Sequence, residues 1–394
     1  MKLKSIQRFT LYVFLFSINF EVWDPFNTGG NFSVSKLTGF LYFVSLIPEL
    51  GSYLKFKKFK NFLMPISLFF LLLTVVSFLH INSISSEYFN FSVFQNIVLL
   101  VLLVNHARKD PGVLKKAMMS FAMGSVAMAF FFYLGIGISI EEGRISLFGD
   151  NENAIGIRMC ISMVFVSFFI IQNPLKLGYI RILLFFSIPV MLSLLVATGS
   201  RVAIISFSLC FVVGLILIKT RRVYTKLLIF LIGLVLGIYL YDFILSSNVL
   251  AQRLLNSAES HNLAGRDIIW KKLIPLIENN PVFGVGVTGY KMYTKKVFGE
   301  FTSPHNVILE VLCYTGFVGL LVYITFLFRV FKASIFDYKM NGSLSQLLLL
   351  IPILGLLLSG QVLVTKIGWV LFAFVIGSTY NEKRLIRKRK DHLA

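Results

Sequence analysis

The sequence predicts an all-α fold, a polytopic membrane helix bundle of about twelve transmembrane helices, and three observations carry that prediction. Hydrophobic residues fill 57% of the 394 positions, and the mean hydropathy of +0.81 lies above the range of soluble globular proteins. Apolar runs of the length that crosses a bilayer, about 20 residues, recur along the whole chain. The 38 Lys and Arg, set against 18 Asp and Glu for a net charge of +20, gather in short runs between those apolar segments.

Read in order, the spans are expected near Phe9–Trp23, Leu37–Leu54, Phe62–His80, Phe91–Val104, Ala117–Ile140 and Asn153–Gln172. Six more are expected near Ile182–Ala197, Val202–Ile218, Leu227–Leu245, Asn306–Phe328, Ser343–Leu358 and Ile367–Thr379. Residues 1–245 then hold transmembrane helices 1–9, and 246–305 form a large extracytoplasmic loop before the tenth helix. Helices 10–12 fall in 306–380, and 381–394 are a basic cytoplasmic tail.

The basic runs set the orientation. Lys2, Lys4 and Arg8, then "KFKKFK", "HARKDPGVLKK", "NPLKLGYIR", "KTRRVYTK", "RVFKASIFDYK" and the tail "KRLIRKRK" all fall on one side, which the positive-inside rule makes cytoplasmic, with both termini there. Charge this scattered is a topology signal and removes the main support for nucleic-acid binding. The first span lacks a small-residue cleavage site and is expected to be a retained helix. Cys160, Cys210 and Cys313 lie inside spans, without metal-ligand spacing or a disulfide pattern, and read as small hydrophobes.

A loop of this length is usually functional. Within it, "RDIIWKKLIPLIENN" lines Ile269, Leu273, Leu276 and Ile277 along one face, opposite Lys271, Lys272 and Glu278, which predicts an interfacial amphipathic helix bent at Pro275. The following "NNPVFGVGVTGY" matches G-x-G-x-x-G at Gly284, Gly286 and Gly289. It follows a helix and a turn in place of a buried strand, with no helix expected right after it, so a dinucleotide site is rejected. A glycine turn that lets backbone approach a ligand or lipid headgroup is the expectation. Trp270 is expected to anchor at the interface.

Three features stand at the same outer level: Arg158, Arg201, and the charges Glu141, Glu142, Arg144, Asp150 and Glu152 that crowd the connection before Arg158. Arg158 sits inside the span opening "DNENAIGIRM", where an unpaired Arg costs at least ~2.5 kcal/mol. Pairing with Glu152 or Asp150 and contact with an anionic ligand are both open for it. Arg201 sits in "ATGSRVAII", a Gly-Ser break between apolar runs, as a ligand contact or a snorkelling interfacial cation. Arg266 opens the amphipathic helix.

In "FTSPHN", Ser303 suits an N-cap and Pro304 the first helical position, which puts His305 in the first turn of a membrane helix. The positive end of that helix attracts anions and disfavours imidazolium, keeping His305 neutral as a general base; a plain interfacial His is the alternative. Asn306 is expected to orient the helix start. Guanidinium groups at Arg201, Arg266 and Arg158 suit bidentate phosphate oxygens, and a lipid-linked diphosphate sugar presents its headgroup at this depth.

The ordered set "TGSR" at Thr198–Arg201, "AGRDIIWKKLIPLIENNPVFGVGVTGY" at Ala264–Tyr290 and "PHNVILEVLCYTGFVGLL" at Pro304–Leu321 resembles the O-antigen ligase and O-antigen polymerase superfamily. The resemblance implies a GT-C-like glycosyltransferase of the bacterial cytoplasmic (inner) membrane with an extracytoplasmic active site. It implies a polyprenyl-diphosphate-linked oligosaccharide donor, no cofactor and no essential metal. Carried onto this chain, it makes Arg201 and Arg266 diphosphate ligands and His305 the base that activates an acceptor hydroxyl, with inversion at the anomeric carbon. Arg158 rests on its intramembrane charge alone, and Asn306, Gly284 and Gly286 are supporting residues. The acceptor is a glycan for a polymerase, the favoured expectation, or lipid A core for a ligase. A lipid-glycan flippase is the alternative of another class, though no inverted repeat is evident.

Overall fold

In a computed structural model of the protein, residues 3–79, 85–141, 143–172, 180–218, 237, 265–360 and 363–391 are described. In chain order the helices are α1 (Leu3–Ser17), α2 (Val34–Leu46), α3 (Leu50–Tyr53), α4 (Lys60–Leu79), α5 (Ser85–Lys109) and α6 (Val113–Tyr133). A hairpin of β1 (Ile138–Glu141) and β2 (Arg144–Leu147) precedes α7 (Glu152–Gln172), α8 (Ile180–Ala197) and α9 (Arg201–Leu217). Then come α10 (Arg266–Asn279), α11 (Gly286–Phe298), α12 (Val307–Asn341), α13 (Leu344–Leu348), α14 (Leu350–Ser359) and α15 (Lys366–Asp391). Among the described residues, five helices are long and apolar enough to cross a membrane, and shorter apolar helices accompany them. Apart from residue 237, the expected ninth span, Leu227–Leu245, and the loop up to residue 264 lie outside the described residues.

The chain divides into two compact units. The first gathers Met1–Leu50, Pro111–Ser260 and Asp337–Gly355. In it α1 packs on α2 and α6, α6 on α7 and α8, and α7 on α8 and α9. Small polar side chains bond across these contacts: Ser125 Oγ lies 2.6 Å from Ser162 Oγ and donates to Asn19 Oδ1, whose own amide donates to the carbonyl of Phe121. In an apolar bundle, satisfied polar pairs of this kind hold helices in register.

The hairpin corrects one boundary. The fifth span was expected to reach Ile140, but α6 stops at Tyr133, and Ile138 to Glu141 pair antiparallel with Arg144 to Leu147. Gly135 and Gly137, at φ of 72° and 70°, turn the chain out of the helix into the strand.

The second unit gathers Gly51–Asp110, His261–Phe336 and Leu356–Ala394. Here α5 runs along α15, and α4 packs on α5 and α11. Phe69 meets Tyr323 and Phe326 meets Phe372, each at 5.2 Å between ring centroids, tying α12 to α4 and α15. The expected tenth span ended at Phe328; α12 continues to Asn341, and its backbone is broken at Gly316 (φ 61°, ψ −165°).

That break would expose peptide groups within an apolar helix, so they need partners. The residues after α10 supply them. Phe317 N–H donates to the Pro281 carbonyl, Val318 N–H to Val282, and Val285 N–H to Cys313. Gly284 makes this approach possible: a Cβ there would lie 2.5 Å from the Cys313 carbonyl oxygen. Gly286 is pressed equally hard against α4, where a Cβ would come within 2.5 Å of Ser77 Cα. The first peptide groups of α11 are capped from α4, Val287 N–H donating to Ser77 Oγ at 3.0 Å.

Candidate active site

Helix α10 begins at Arg266, as the amphipathic pattern predicts, and Leu273 and Leu276 are its buried positions while Lys271, Lys272 and Glu278 are exposed. Pro275 stays within the helix. Trp270, one turn after Arg266, turns its indole inward, and Nε1 donates to the Pro304 carbonyl at 2.9 Å. From α11, the Tyr290 hydroxyl donates to the Thr302 carbonyl at 2.8 Å. Two neighbouring helices thus grip the segment that ends in His305. Trp270 was expected to be an interfacial anchor; its hydrogen bond makes it a strut for this segment.

The segment does not enter the helix where the sequence pattern suggested. Ser303 is not the N-cap, and His305 is not in the first turn. Helix α12 starts at Val307, and Asn306 caps it, its Oδ1 accepting from Ile308 N–H at 2.9 Å and Leu309 N–H at 3.3 Å. Asn is a strong cap residue, and here its amide oxygen satisfies the amides that were expected to face an anion. Asn306 therefore orients the helix start, in line with the reading of it as a supporting residue.

His305 stands just outside the helix at φ 49°, a left-handed conformation that costs an L-residue about 1–2 kcal/mol. Such strain collects at functional positions. The conformation is held on one side by the Asn306 cap and on the other by Ser303, whose hydroxyl accepts the His305 N–H at 3.2 Å. The same hydroxyl donates to Glu310 Oε1 at 3.2 Å.

The imidazole is part-buried, and its pKa is lowered from the ordinary His value, chiefly by burial and secondarily by the charge of Arg266. Arg266 and His305 are therefore electrostatic neighbours, although 38 residues of sequence lie between them. Burial and cation act in the same direction, keeping the imidazole neutral and able to accept a proton. Lys291, also part-buried, has its pKa lowered by burial and lies over the Phe301 ring at 5.7 Å.

Gly284 and Gly286, expected to admit a ligand or headgroup, admit the protein's own backbone, and α11 opens at Gly286 where no helix was expected. The glycine motif is thus the joint between the α10–α11 hairpin and α12.

Arg158 and Arg201 belong to the first unit. Arg158 is 2% exposed: its Nη1 donates to Asp150 and to the Asn19 carbonyl, its Nη2 lies 3.5 Å from Glu21, and its Nε is buried without a hydrogen-bond partner among the described residues. Of the two carboxylates considered for it, Asp150 is the partner. Glu152 pairs instead with Arg144, at 3.0 Å. Arg144 also donates to the Thr198 carbonyl at 2.9 Å and to Asn153, and so braces the Thr198–Ser200 turn between α8 and α9. Arg201 is the first residue of α9, part-exposed on that braced turn. Because Arg158 neutralises the buried Asp150, an Arg158→Met protein is expected to lose about 3–5 kcal/mol of stability, leaving that acid buried without its cation. Thermal unfolding in detergent tests this: an unchanged melting temperature would contradict the network.

Among the described residues no group of three or more His, Cys, Asp or Glu is arranged to hold a metal ion, and Cys160, Cys210 and Cys313 are buried free thiols.

Sequence reasoning passed over Glu310, placed Arg144 only among the charges that crowd the connection before Arg158, and missed the inward role of Trp270 and Tyr290. Glu310 carried a usable signal, a carboxylate in the first turn of an apolar span. The indole and phenol carried none beyond membership of the quoted motifs.

A family model described as O-antigen ligase matches residues 184–324, a stretch containing Arg201, Arg266 and His305. No curated protein matches the chain.

Proposed function

We propose, for a chain whose residues 184–324 match a family model described as O-antigen ligase, that it is a polymerase of lipid-linked oligosaccharide repeats for a bacterial surface polysaccharide. The observation that carries this reading is the strained His305, whose burial and neighbouring Arg266 both disfavour its protonation. The hydroxyl oxygen of one repeat attacks the anomeric carbon of a second, polyprenyl-diphosphate-linked chain. As the new C–O bond forms, the bond to the diphosphate breaks, its electron pair leaves with polyprenyl diphosphate, and the hydroxyl proton passes to the His305 imidazole. Attack opposite the leaving group inverts the anomeric carbon.

Arg266 holds the diphosphate, and its guanidinium offsets charge that develops on the leaving oxygens. Arg201 is proposed as a diphosphate ligand on the strength of its "TGSR" motif alone. The twelve-helix topology, the outward-facing site, the cytoplasmic termini and catalysis without metal are parts of the same proposal, supported by the positive-inside distribution of basic residues and by the chemistry of a cationic site.

Purified protein in proteoliposomes, given the polyprenyl-diphosphate-linked oligosaccharide that accumulates in cells lacking it, is expected to build a ladder of longer lipid-linked chains, with EDTA present. Transfer only when lipid A core is supplied would make it a ligase. Movement of the substrate across the bilayer without elongation would replace the reading with a transporter, and strict need for a divalent ion would remove the metal-free mechanism.

A further inference from the structure

We infer that Glu310 is a positioning residue for His305, acting through Ser303; this rests on the reading of His305 as the base. Glu310 lies in the first turn of α12 and is 1% exposed. A buried carboxylate is costly unless it is paired and fully hydrogen-bonded. This one has no ion pair among the described residues; Oε1 takes the Ser303 hydroxyl, and Oε2 is buried without a hydrogen-bond partner among them. Its satisfaction is thus incomplete, so core stability is a poor account of its place there.

Its one hydrogen bond explains it better. A serine hydroxyl has a single proton, and Glu310 takes it. The oxygen's lone pairs are then free to face the His305 N–H, which donates to that same oxygen at 3.2 Å. Without Glu310 the hydroxyl is free to rotate and to turn its proton toward that N–H. The chain Glu310, Ser303, His305 backbone thereby fixes the residue that stands at φ 49° between a capped helix and a gripped loop. Glu310 thus acts on the backbone that carries the imidazole. Misplacement of a catalytic group by an ångström costs on the order of 100-fold in rate, so the lever is large.

The test uses the full-length protein in proteoliposomes with the polyprenyl-diphosphate-linked oligosaccharide from cells lacking it. Glu310→Ala is expected to lower kcat about 10- to 100-fold with KM unchanged. Glu310→Gln, whose amide oxygen still accepts the hydroxyl, recovers most of the rate. Ser303→Ala matches Glu310→Ala, and the double variant is no slower than either single one, because both break the same chain. If Glu310→Ala does not fold, Glu310→Gln and Ser303→Ala carry the comparison, with a slow Ser303→Ala and a near-native Gln variant expected. Wild-type kcat in Glu310→Ala or in Ser303→Ala, or losses that multiply in the double variant, would overturn the inference while His305→Ala stays inactive. Full activity in His305→Ala would instead overturn the function on which it rests.

Discussion

Replacing His305 with alanine is expected to lower kcat by about 10²- to 10⁴-fold, the range that a general base contributes, while KM for the lipid-linked donor stays near its original value. The expectation follows from what surrounds the residue. Its loop is tied to α10 through Trp270 and to α11 through Tyr290, and its backbone is locked between Ser303 and the Asn306 cap. On the proposed function, a side chain held in this way serves proton transfer more than donor binding. His305→Gln, similar in size but unable to take the proton, should be as inactive as alanine. The measurement is initial rate against donor concentration for protein matched in amount and monodispersity. A KM defect with normal kcat would make His305 a binding residue and end the assignment of a base.

Arg266→Gln should have two separable effects. On the proposed function, losing the cation that holds the leaving diphosphate lowers kcat by about 10²- to 10³-fold. The second effect is on pH. As the proposed base, His305 must be neutral, so the rate is expected to fall on the acid side as it protonates. Burial and Arg266 both push its pKa below the ordinary value, which places the wild-type acid limb below about pH 6.5. Removing the charge takes away the smaller of the two causes, so the limb moves upward and still remains below the ordinary value, because burial persists. Arg266→Lys keeps the charge without the forked donor geometry; its acid limb stays in place while its rate is only partly restored. An acid limb that does not move in Arg266→Gln would mean that the two residues do not interact.

Helices and their faces were legible in the sequence because they depend on local periodicity. Burial in α10 falls at Leu273 and Leu276, on the face marked out by spacing alone. Where short-range pattern and tertiary pairing compete, the reading slipped. Leu134, Ile136, Ile138 and Ile140 alternate with small residues, a period-two signal that an apolar window absorbs into a span; the strand is evident only beside its partner at Arg144 to Leu147.

The break in α12 is similar. Gly316 alone looks like one of many glycines in an apolar helix, and only the backbone of Pro281 and Val282, more than thirty positions earlier, makes its non-helical conformation affordable. At the site, Ser-Pro preceding His obeyed one capping rule and Asn306 obeyed another, and the carboxamide won because it reaches two amides at once. For Arg158, the sequence required compensation and offered two nearby acids. Which acid pairs with it depends on Arg144, which the hairpin brings to Glu152.

The most direct test of the central claim is the stoichiometry of release. Full-length protein in proteoliposomes is given polyprenyl-diphosphate-linked oligosaccharide labelled in both lipid and sugar, and free polyprenyl diphosphate is counted against new glycosidic bonds. One molecule released per bond, with inverted anomeric configuration in the product and neither signal from His305→Ala, is the predicted result. Bond formation by His305→Ala at the wild-type rate, or labelled glycan crossing the bilayer with its diphosphate intact and no bond formed, would contradict it.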